Sequence, residues 1–106
     1  MPPKMLLSEA VSIPADRPFR RIWRRDDPRT DVLIGLKPAQ RIPEHSHPGS
    51  EVTLLMLQGK LQVTLSGEII ELSVGELLRA SGDDRLALDN VGEIDAYVLV
   101  ILQEHH

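Results

Sequence analysis

From residue 52 onward, short apolar stretches alternate with turn-forming residues, and no segment of the chain predicts a helix. Val52 to Leu57 is a nearly continuous apolar run, Leu61 to Leu65 alternates apolar and polar positions, and Glu68 to Leu72 follows the turn-like Ser66-Gly67. Later, Leu86, Leu88 and Asn90 alternate with Arg85, Ala87 and Asp89. The last strand, Ala96 to Leu102, is so uniformly apolar that it reads as buried on both faces. Upstream, Phe19 to Arg24 and Val32 to Lys37 form two further strand candidates around the turn-like Asp26-Asp27-Pro28-Arg29. Glycines at 59, 67, 75, 82 and 92 punctuate this pattern, whereas all eight prolines lie at or before Pro48. Tight turns at such intervals between short strands predict an all-β fold, a small closed sandwich or barrel of the jelly-roll kind with about eight or nine strands. Residues 1–16 lack a pattern and are read as an arm or a disordered segment; residues 17–106 form the single barrel domain.

Composition narrows the chemistry. The 106 residues suffice for one core. Phe19, Trp23 and Tyr97 are the only aromatics, so the core is aliphatic and stacking platforms for bases, sugars or flavins are not expected. With no cysteine, the chain has no disulfide scaffold, thiolate metal site or thiol nucleophile, and metal chemistry is left to His and carboxylate. No apolar run approaches the ~18 residues that cross a bilayer, and a cytoplasmic protein without a membrane partner is the expectation.

The net charge of −4 is unevenly spread. Residues 1–41 hold nine Lys/Arg against five Asp/Glu, and residues 42–106 hold three against eleven. Because Asp26 and Asp27 interrupt the arginine cluster and the whole chain is acidic, the basic segment is expected to pair with the acidic remainder rather than with nucleic acid.

His45 and His47 carry the candidate chemistry. On an extended segment, residues two apart face one side, so both imidazoles converge, and Glu51 follows past the turn-like Pro48-Gly49-Ser50. Two imidazoles and a carboxylate suit Fe, Mn, Ni or Zn. The remaining histidines, His105 and His106, read as a solvated tail.

The stretch from Leu36 through His45, His47 and Glu51 to Gly59 and Leu61 resembles the first motif of the cupin superfamily, G-x5-H-x-H-x3,4-E-x6-G. The second motif, G-x5-P-x-G-x2-H-x3-N, can be laid over Gly75 to Asn90. The resemblance spans residues 32–102. It implies an RmlC-like double-stranded β-helix barrel, commonly dimeric, with a small-molecule or divalent-metal pocket inside. Several positions depart from the motifs. Ala39 replaces the leading Gly, which removes only the permission for unusual backbone angles. Seven residues separate Glu51 from Gly59, so either a bulge keeps Glu51 inward or Val52 takes its place. Ser81, Asp83 and Leu86 stand at the second motif's Pro, Gly and His. A one-residue shift would offer Arg85 instead, a cation that opposes a metal and favours an anion.

Three functional readings follow. The first is a small-molecule and divalent-metal site reduced to His45, His47 and Glu51, with Leu54, Met56, Arg85, Leu86 and Leu88 lining the pocket. The second is a metal-free ligand-binding or sensor module with a degenerate metal site. The third is a non-haem metal-dependent dioxygenase or isomerase. No phosphate-cradling loop is present. A homodimer is expected, with Phe19 and Trp23 among arginines as its interface or, alternatively, as the closure of their own barrel.

Overall fold

The computed structural model describes residues 4–105. His106 and the first three residues of the expected arm lie outside them. Among the described residues nine strands follow a single helical turn: α1 (Leu7–Ala10), β1 (Phe19–Asp26), β2 (Arg29–Leu36), β3 (Arg41–His45), β4 (Ser50–Gln58), β5 (Lys60–Leu65), β6 (Glu68–Ser73), β7 (Leu77–Ser81), β8 (Leu86–Asp89) and β9 (Ala96–Glu104). They form two antiparallel sheets of order β1-β2-β9-β4-β7 and β3-β8-β5-β6. The pairs β2·β9, β3·β8, β4·β7 and β5·β6 nest one inside the next, so the chain from β2 to β9 is one long hairpin rolled into two facing sheets. This is the predicted jelly roll.

Turn chemistry sets the β5–β6 hairpin. Ser66 and Gly67 take φ of 46° and 90° between β5 and β6, the two successive positive angles that a two-residue hairpin of primed type demands. Two strands have no clear counterpart in the apolar pattern. β3 contains Pro43 and charged neighbours, which an edge strand tolerates because one side of its backbone needs no ladder partner. β7, the other sheet's edge, turns only Leu78 and Ala80 inward.

The interior is a cluster of sixteen buried apolar residues with no aromatic among them, as the composition predicts. β9 corrects one expectation. Ala96, Val98 and Val100 are buried, but Tyr97, Leu99 and Ile101 on the other face are only half-buried. Its apolar run arises because both faces are apolar, not because both are covered. Across the outer face of the larger sheet, Leu33, Leu99, Leu55 and Leu77 lie opposite one another on β2, β9, β4 and β7.

The segment before β1 contributes to this outer face. Met5 and Leu7 meet Trp23, Leu33, Leu57 and Leu99 around a groove of about 140 Å³, and Val11 is buried beside Gly35. Trp23 therefore packs outside the barrel against its own N-terminal segment and does not close the barrel's interior. Three arginines of the basic segment are paired locally: Arg17 with Asp16, Arg24 with Asp26 and Arg29 with Asp31, all within two residues. The exposed pairs Arg17–Asp16 and Arg24–Asp26 contribute about 0–1 kcal/mol each, whereas Arg29 meets the buried Asp31, and Arg41 reaches Asp89 of the acidic remainder at 3.3 Å.

Candidate functional site

β1 and β3 are edge strands of opposite sheets, and the sandwich opens at a mouth between them. A cavity of about 20 Å³ there is lined by Arg20 of β1, Val32 and Ile34 of β2, Ile42 and His45 of β3, His47, Leu86 and Leu88 of β8, and Val100 and Leu102 of β9. It has room for roughly one water molecule. An organic molecule must lie across this mouth rather than inside it.

The two histidines meet as the spacing predicts. Their ring centroids are 4.9 Å apart with the planes 89° to each other. The carbonyl of Pro43 can only accept, so His45 Nδ1–H donates to it at 2.9 Å, a tautomer whose neutral ring has Nε2 as its acceptor. Burial, then the neighbouring His45, then Arg20 hold the His47 imidazole below its ordinary pKa. His47 is thereby favoured in its neutral form, able to accept a hydrogen bond or a metal.

Gly82 fixes the backbone of this corner. His47 N–H donates to the Gly82 carbonyl at 2.8 Å, Gly82 N–H donates to the Ser50 carbonyl at 2.6 Å, and Ser50 N–H closes the turn onto the His47 carbonyl at 3.1 Å. A Cβ on Gly82 would run into the carbonyl oxygens of His47 and Ser50. The sequence pattern reads Gly82 as a tight-turn marker, and the position requires a glycine because of the close backbone approach.

Glu51 does not join the histidines. On β4, Val52, Leu54 and Met56 are the buried inward positions, and Glu51 lies on the outer face, where Arg79 Nη2 donates to Glu51 Oε2 at 2.6 Å. The extra residue between Glu51 and Gly59 is absorbed by a bulge, but at Leu57, between the pairs Met56–Val98 and Gln58–Tyr97. The unbroken pairing of Glu51 to Met56 with β9 keeps Val52, Leu54 and Met56 on one face, so Val52 occupies the inward place and Glu51 the outward one. Among the described residues no group of three or more His, Cys, Asp or Glu could hold a metal.

The other expected lining residues divide. Leu86 and Leu88 line the cavity. Leu54 and Met56 are fully buried core filler deeper in the barrel, not cavity wall. Arg85 is exposed and pairs with Glu44 at 3.5 Å outside the mouth. The cation in the lining is Arg20, which sequence reasoning missed. Its signal was the alternation along β1: opposite Ile34, Arg20 shares the inward face with Ile22, which lies opposite Val32.

Asn90, matched to the second motif's Asn, has a structural role at the opposite end of β8. Its Nδ2 donates to the carbonyls of Leu36 and Ile94, each at 2.9 Å, and its Oδ1 accepts from Gly92 N–H at 3.0 Å. Ala39 N–H donates to the Asn90 carbonyl at 2.9 Å, and Ala39 holds φ of 71°, so the residue at the motif's Gly position uses the left-handed angle without the freedom of Gly.

The nested strand pairs and the His45–His47 mouth coincide with a family match: residues 32–102 fit the Cupin_2 family, the cupin domain. The chain belongs to that family. Over 64 residues this cupin is 38% identical to the polyketide synthase CurC of Streptomyces cyaneus, and over 66 residues it is 33% identical to the tetracenomycin polyketide synthase protein TcmJ of Streptomyces glaucescens. Those matches cover 60% and 62% of this chain but only 42% and 44% of the two relatives. An RmlC-like cupin protein from Desulfovibrio desulfuricans superposes with a TM-score of 0.86 at 26% identity, covering 97% of this cupin and 96% of that chain. Among the described residues of this cupin, no helix is long and apolar enough to cross a membrane.

Proposed function

We propose that this cupin is a small-molecule-binding protein whose site is the barrel mouth at His45, His47 and Arg20, and that it works without a resident metal. The observation that carries this reading is the donor set. A four-ligand metal site of the kind the motifs describe needs a carboxylate and a third imidazole beside the two histidines. Val52 and Leu86 stand at those places, and Glu51 is paired with Arg79 on the other side of its sheet. Arg20 adds a fixed positive charge to the lining, which raises the cost of placing a dication between the imidazoles. The residues therefore do not fit the metal, and the dioxygenase and isomerase readings, which require one, are not favoured. The polyketide synthase names of both curated relatives support an organic molecule as the ligand.

Zinc and manganese titrations of untagged, chelator-treated protein test this. Wild type and a His45→Ala/His47→Ala variant are expected to take up the same small amount of metal and to melt alike in its presence. Stoichiometric uptake by wild type that the variant loses would overturn the metal-free reading.

The cupin is also proposed to be a homodimer, formed through Leu55 and Leu77 of the outer leucine row rather than through Trp23, Leu33 and Leu99, which meet the N-terminal segment. Leu77 is 67% exposed there, and Leu55 is half-buried. Sedimentation should give twice the chain mass for wild type and the chain mass for Leu55→Lys; a monomeric wild type would refute the dimer.

A further inference from the structure

We propose that the mouth takes an organic anion, a carboxylate on an apolar body, and that Arg20 is the residue that reads its charge. The inference rests on the mouth being an organic-ligand site and names the class of ligand.

Arg17, Arg24, Arg29, Arg41, Arg79 and Arg85 each have a carboxylate oxygen within 3.5 Å. Arg20 belongs to none of these six pairs, and it is the arginine that lines the cavity beside the histidines. The placement follows from register. Arg20 and Ile22 lie opposite Ile34 and Val32, so both project from the edge strand over the mouth. No acidic residue is among the cavity's lining to balance the guanidinium.

A guanidinium offers a planar fork of donors that matches a carboxylate in geometry as well as charge. Arg20 is exposed at the mouth, so solvent screens its charge, and recognition rests on the geometry of the fork together with the apolar residues and two imidazoles beside it. The Nε2 of His45 is an acceptor, suited to a hydroxyl of the ligand rather than to its anionic oxygens. Because the cavity holds only about 20 Å³, the body of the ligand must rest on the rim. Ile22 is 47% exposed there, and Ile42 and Leu102 are half-buried, which makes the rim apolar. A charged head and an apolar body thus match the two kinds of surface that meet at the mouth.

Octanoate and its neutral isostere octanamide separate this proposal from a merely solvated Arg20. Calorimetric titrations would use untagged, chelator-treated protein at neutral pH, as wild type, Arg20→Gln, Arg20→Lys and Arg21→Gln. Wild type is expected to bind octanoate at least about tenfold more tightly than octanamide. That preference should vanish in Arg20→Gln, survive in part in Arg20→Lys, and persist in full in Arg21→Gln, whose side chain belongs to the opposite face of β1. Equal affinity of wild type for acid and amide would overturn the anion while leaving an organic-ligand site in place. Octanoate affinity unchanged in Arg20→Gln, or no octanoate binding to wild type, would overturn the role of Arg20. Metal uptake through His45 and His47 in the separate titration would overturn the metal-free reading without altering the octanoate comparison.

Discussion

The two ends of the β3–β8 pair solve opposite problems. At one end Asn90 saturates its side chain with the carbonyls of Leu36 and Ile94 and the amide of Gly92, while its backbone bonds Ala39 and Gln40. At the other end, among the described residues, Arg20 lines the cavity with no acidic residue beside it, and His45 spends one ring nitrogen on the Pro43 carbonyl. A buried polar group with every partner supplied rigidifies a fold, whereas polar groups left with open valences cost stability and are kept where a ligand can complete them. The closed end holds the barrel together, and the open end is where it can recognise something.

Substitutions should divide along that line. Asn90→Ala leaves carbonyls and an amide at the closed end without their partner and is expected to cost about 2–4 kcal/mol in urea unfolding, the largest effect of the set. If it cost no more than a surface change, the closed end would not be a structural bolt.

Gly82→Ala pushes a methyl group against the His47 and Ser50 carbonyls and is expected to cost about 1–3 kcal/mol. It should also shift the His47 ring resonances by NMR, because the His47 amide is bonded to Gly82. Unshifted resonances would mean that the turn does not position the imidazole.

Ala39→Gly relieves a left-handed backbone angle in a residue with a Cβ. The relief outweighs the extra chain entropy of Gly, and the variant should be more stable by about 0.5–1 kcal/mol. A lower melting temperature would show that the angle is not a burden.

The smallest effect is the pH dependence of the open end. With its folded pKa held below the ordinary imidazole value, His47 binds a proton less readily in the native chain than in the unfolded one. Stability is therefore full above about pH 6.5 and falls as the pH drops below that toward the lowered folded value. Chelator-treated wild type should lose more stability between neutral pH and about pH 5 than His47→Gln does. Equal slopes for the two proteins would remove His47 as the cause.

Much of the fold was legible because alternation and turn residues are local signals. Ser66-Gly67 marks its hairpin, and Leu61 to Leu65 shows its buried face directly. β7 was obscured because one of its two inward residues is the small Ala80, and β3 because its five residues include Pro43 and three charged or titratable side chains. The outward Tyr97, Leu99 and Ile101 of β9 made a half-buried strand look wholly buried.

The sequence alone determined an aliphatic all-β barrel and two imidazoles converging from one side of an extended segment, since a strand's period of two is fixed by backbone geometry. Tertiary structure decided the rest of the site. The register of β4 against β9, with Glu51 opposite Gln103 and Val52 opposite Leu102, turned a carboxylate out and Val52 in. Register between β1 and β2, and the meeting of two sheet edges, brought Arg20 to histidines more than twenty residues away. Such choices depend on which distant strands pair and where the extra residue is absorbed, and no local stretch of sequence encodes either.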